Sequence, residues 1–163
     1  METDKKKKKE SLGSFCHAIR DNLDFMLKEL PTLKVPEDIR TPIRYALSRA
    51  RGRSNALADY AQKIEYVLGV SPHKPRDVDM NPPNLRRDIS LMLNTLGAQV
   101  EELTSMIRSF QVAYDSHEDY HSMAPLSVLL YESVGNILYL RMRMRYLLTH
   151  SLSLVTDAAG QKS

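Results

Sequence analysis

The sequence predicts an all-α protein, an elongated antiparallel bundle of about four helices with heptad-like packing. Prolines divide the chain into segments, and within each segment apolar residues recur at alternating steps of three and four. Glycine is scarce at 6 residues, tryptophan is absent and aromatics make up 7%, which disfavours β-sandwiches and Gly-rich nucleotide folds. With 163 residues, 42% hydrophobic and 26% charged, the composition is that of one folded domain.

The first helix, expected over 11–30, carries Leu12, Cys16, Ile19, Leu23, Met26 and Leu30 on one face. Val35 to Arg40 reads as a short turn. Thr41 followed by Pro42 has the form of an N-cap with proline at the first helical position, opening a second helix over 42–69. Its stripe runs Ile43, Ala46, Ala50, Arg53, Leu57, Tyr60, Ile64, Val67, and Gly69 suits its end. Residues 71–83 form a proline-rich linker whose Asn81-Pro82 repeats the start signal for a third helix over 83–115. That helix carries Leu85, Ile89, Met92, Leu96, Gln99, Leu103, Met106, Phe110 and Ala113. Ser122 offers a cap for the fourth, over 124–156, with Leu126, Leu130, Ser133, Ile137, Leu140, Met144, Leu147, Ser151 and Leu154. The expected organisation is a basic disordered tail (1–10), one bundle domain (11–156) and a flexible C-terminal tail (157–163).

The lone cysteine, Cys16, excludes an internal disulfide framework. No apolar run follows the lysines 5–9 as in a secretory signal, and Arg141, Arg143 and Arg145 interrupt the most apolar helix. An intracellular protein, cytoplasmic or nuclear, is expected, with no membrane span. Lys5 to Lys9 suits a nuclear-import signal, a nucleic-acid arm or a solubilising tail.

Helix lengths give the first functional expectation. A first helix of ~30 Å cannot cover a groove between helices of ~40–50 Å. An uncovered apolar end is expected around Tyr60, Ile64, Val67, Leu85, Ile89, Leu147 and Leu154, taking a second copy of the chain or a helical protein partner. The eight methionines suit adaptable packing there. The expected function is therefore a non-enzymatic interaction or assembly protein without a cofactor.

The alternative is nucleic-acid binding. Arg40, Arg44, Arg49, Arg51 and Arg53 fall in a stretch without any acid, Tyr45 lies among them, and Arg141, Arg143 and Arg145 lie near Tyr139 and Tyr146. Arg53 falls on the apolar stripe, where it needs a carboxylate such as Glu101, Glu102 or Glu132. The segment from Glu101 to Asp119 is acidic, so pairing within the fold competes with phosphate contact.

Metal chemistry is the third reading. His117-Glu118-Asp119-Tyr120-His121 places two histidines a helical turn apart around a glutamate, and resembles the zincin metalloprotease motif over those five residues. Ala124 and Ser127 stand where the longer motif has glycine and histidine, and the segment reads as a polar turn, with no metal expected. His73 is a further histidine that a bundle metal site would draw on. Cys16 and His17, adjacent on a helix, diverge by about 100° and form no nucleophile–base pair. Thr41 and Ser71 each precede proline and fit proline-directed phosphorylation, although capping and linker roles account for both.

Overall fold

The computed structural model describes residues 11–72, 75, 82–116 and 123–162, with 113, 114, 116 and 151–162 described by backbone alone. Four helices form: α1 (Leu12–Glu29), α2 (Glu37–Val67), α3 (Leu85–Ser116) and α4 (Ala124–Lys162), with a 3₁₀ turn at Leu30–Thr32. There is no strand among the described residues. Each helix packs against its neighbours in the order α1, α2, α3, α4 and back to α1, which is a four-cornered bundle.

Three stripes occupy the core as the periodicity predicts. Cys16, Ile19, Leu23 and Met26 of α1, Ile89, Met92, Leu96 and Leu103 of α3, and Leu130, Ile137, Leu140 and Met144 of α4 are fully buried. On α2 the stripe differs at alternate positions. Ser54 and Ala61 enter the core, while Arg53 and Tyr60 lie at its edge and Val67 is exposed. Both choices keep the 3–4 spacing through Ala50, Leu57 and Ile64. The small residues go inside because an arginine there would be a buried charge.

Ser54 is held by Gln99 of α3, whose Nε2 donates to the Ala50 carbonyl (2.9 Å) and to Ser54 Oγ (3.1 Å). Asn22 Nδ2 donates to Ser133 Oγ across α1 and α4 (3.3 Å). The pairings of Gly13 with Glu65 and of Asp24 with Arg51 put Ser54 level with Asn22. One polar layer therefore crosses the middle of the apolar bundle, a device that penalises slipped registers.

Helix ends depart from expectation in three places. α2 begins at Glu37, so 37–40 is helix rather than turn, and Thr41-Pro42 lies inside it. Glu37 and Asp38 favour the earlier start by complementing the positive end of the helix. Arg40 secures it, donating from Nη2 to the Val35 carbonyl (3.0 Å) and from Nη1 to that of Pro31 (3.3 Å). α3 is capped by Asn84, whose Oδ1 accepts the Arg87 N–H (3.0 Å) while the buried Asp88 carboxylate accepts the Asn84 N–H (2.9 Å). Pro82 therefore precedes the helix, and Asn81 and Ser122 lie outside the described residues. α4 continues to Lys162, past the end expected at 156.

The Gly69 stop forms as expected. Gly69 is left-handed (φ 75°), its N–H donates to the Tyr66 carbonyl (3.1 Å), and the Val70 N–H reaches the Glu65 carbonyl (2.9 Å), a Schellman closure.

Candidate interaction face

α1 is short, with 18 residues against 31 in α2, but its placement moves the uncovered end. Ser11 Oγ caps the first turn of α1 by accepting the Ser14 N–H (3.2 Å), and Glu65 of α2 accepts the Gly13 N–H (3.0 Å). With no acid of its own in that turn, α1 takes its countercharge from Glu65 and is pinned at the C-terminal end of α2. The expected groove is therefore filled by the chain itself. Ile64 and Ile89 are fully buried, Leu85 and Leu147 nearly so, and Tyr60 is half-buried. Val67 alone of that set is exposed, and the Leu154 side chain lies outside the described ones.

The α2 overhang lies at the Glu37 end, where a trough of about 1000 Å³ runs between α2 and α3. Its floor of Ile43, Ala46 and Met106 is already buried by the two helices. Arg49 Nε reaches Glu102 Oε1 (3.1 Å) and Arg53 Nη1 bonds the other oxygen of the same carboxylate. Glu102 is thus the carboxylate that Arg53 requires.

The remaining arginines divide similarly. Arg51 pairs with Asp24 of α1 (2.8 Å), and Arg44 lies exposed with its guanidinium 5.7 Å from the Tyr45 ring centre. On α4, Arg141 is half-buried, while Arg143 and Arg145 are exposed and have no ion-pair partner among the described residues. The Phe15–Tyr139 ring contact (4.6 Å) sets Arg143 beside the start of α1, whereas the Asp24–Arg51 pair sets Arg44 beyond its end. Arg44 therefore lies toward the opposite end of the bundle from Arg143 and Arg145.

The surface that stands out is the outer side of α4. Opposite its core stripe, Val128, Tyr131, Gly135, Leu138, Met142 and Tyr146 recur at steps of three and four. At about 100° per residue they fall in an arc of about 80° that contains no charged side chain. All face solvent, the five large ones from 49% exposed at Leu138 to 64% at Val128. A helix that is apolar on both sides is ordinarily buried on both sides. The signal was present in the sequence as a second 3–4 series offset from the core one.

Cys16 is completely enclosed, and burial pushes its thiol up to about 12, with the Glu65 carboxylate adding to the effect. Such a thiol is a core side chain without nucleophilic character. Lys63, unremarked in the sequence, is buried with its ammonium 3.3 Å from Asp59. Among the described residues no three His, Cys, Asp or Glu side chains gather to hold a metal, and no helix is long and apolar enough to cross a membrane. His117, His121 and His73 lie outside the described residues.

Comparison with protein-family models, with curated proteins and with solved structures returns no match.

Proposed function

We propose that this chain is a non-enzymatic interaction and assembly protein that docks helix against helix through the outer face of α4. The observation that carries the reading is the charge-free stripe from Val128 to Tyr146, which repeats the spacing of a core stripe while facing solvent. Exposed single hydrophobes are ordinary on any protein; a continuous stripe of them along about five turns of one helix is the pattern of a helix-docking surface.

The nucleic-acid reading draws less support. Arg40 is tied to backbone carbonyls, Arg49, Arg51 and Arg53 to carboxylates, and the exposed Arg44 lies toward the opposite end of the bundle from Arg143 and Arg145. A phosphate backbone needs several cations along one track.

The test is retention on immobilised protein. Purified chain in solution, or a helical protein from a cell lysate, is expected to be held by the immobilised wild-type chain and lost from the Leu138→Glu/Met142→Glu chain, with helix content by circular dichroism unchanged. Equal retention by both chains contradicts the assignment of the face.

A further inference from the structure

We infer that the occupant of the outer α4 face is a second copy of this chain, laid antiparallel across it as a two-fold dimer. This inference rests on the reading of that face as a docking surface. The order of residues along the stripe selects the occupant. With a two-fold axis between Leu138 and Tyr139, Tyr131 lies level with Tyr146 of the second copy, Gly135 with its Met142, and Val128 with its Thr149. Aromatic meets aromatic, and the position without a side chain meets a long flexible one. A Cβ built on Gly135 meets nothing within 4 Å, so the space for an incoming methionine is open.

Charge selects the orientation. Glu132 is the only acid between Ala124 and His150, and Arg141, Arg143 and Arg145 all follow the centre of the stripe. On the helical wheel Glu132 and Arg143 flank the same edge of the stripe, while Arg141 and Arg145 flank the other. A two-fold antiparallel pair brings like edges together, so each Glu132 lies about 3 Å in height from the second copy's Arg143 at ~1.5 Å per residue, while on the other edge the two Arg141 side chains stand about 7.5 Å apart in height. A parallel pair brings unlike edges together and sets each Arg143 between Arg141 and Arg145 of the other copy, with no acid to offset them. An unrelated partner has no cause to match a stripe that is its own complement when reversed.

The test is disulfide trapping in the full chain. Tyr131→Cys and Tyr146→Cys chains are mixed under mild oxidation, and Cys16, enclosed and held as a thiol, takes no part. A mixed disulfide dimer is expected to dominate. Each variant alone is expected to link poorly, because like positions lie about 22 Å apart along the axes, far beyond disulfide reach. Linkage of each variant alone as efficient as in the mixture overturns the antiparallel register. A wild-type chain that is monomeric at about 100 µM, well above a micromolar Kd, overturns the second copy while leaving the docking face to be judged by retention. A dimer untouched by Leu138→Glu overturns the second copy at this face, and if retention is also unchanged the docking reading falls with it.

Discussion

The outer surfaces of α2 and α4 are both rich in arginine and are treated in opposite ways. On α2, Arg40, Arg49, Arg51 and Arg53 find acceptors within the chain, two of them on the single carboxylate of Glu102, while Arg44 lies exposed over the Tyr45 ring. On α4, Arg143 and Arg145 face solvent without an ion-pair partner among the described residues, beside an apolar stripe that none of the described residues covers. The lesson is that apolar or charged periodicity shows which side chains need a neighbour. Whether that neighbour lies in the same chain is decided by register.

The sharpest break of this comparison uses adjacent residues of α4. Ile137 is fully buried and Leu138 is half exposed. Ile137→Ala should cost about 2–5 kcal/mol in urea unfolding, from lost transfer energy and the cavity left behind. Leu138→Ala, measured on dilute monomer, should stay within about 0.5 kcal/mol. Equal costs at the two positions would mean that the outer face is folded against something within the chain.

Glu102 tests the internal pairing on α2. Glu102→Ala leaves Arg49 and Arg53 without their carboxylate, and since both arginines are partly solvated the expected loss is about 1 kcal/mol. The loss should shrink at high salt. A neutral effect at low salt would show that these arginines are as unengaged as those of α4.

A pH-dependent effect, absent at neutral pH, probes how tightly α1 seals the end where the groove was expected. The Cys16 thiol has its folded pKa raised to about 12, above its ordinary value of 9.0. Below pH 9 both states hold the proton and the stabilisation is complete. Between about pH 9 and 12 the unfolded chain releases the proton first, so stability should fall with rising pH, by at most about 1.4 kcal/mol per pH unit. Comparing wild type with Cys16→Ala isolates this slope from the tyrosines and lysines that titrate nearby. Identical pH slopes in the two chains would mean that α1 opens readily.

Much of the fold was legible in the sequence, since spacing alone marks three of the four core stripes and Gly69 marks the stop of α2. The second stripe was ambiguous because Arg53/Tyr60 and Ser54/Ala61 share the same spacing, and only the cost of burying a guanidinium separates them. Thr41-Pro42 has the chemistry of a helix start, yet Glu37, Asp38 and the Arg40 contacts to the preceding turn begin the helix earlier. The end expected to be uncovered is buried for a physical reason. Helix lengths alone do not carry the Gly13–Glu65 bond that fixes where the short helix sits, and the uncovered end follows that bond. The outer stripe of α4 has the same 3–4 spacing as its core counterpart, so spacing alone does not tell which of the two faces solvent.

The most direct measurement is the mass in solution of the purified chain by light scattering, compared with its Leu138→Glu variant. The wild-type chain should have twice the 18.6 kDa mass of one copy, and the variant should have that of a single copy with its helix content intact. A wild-type monomer, or a dimer that survives the substitution, contradicts assembly of two copies through α4.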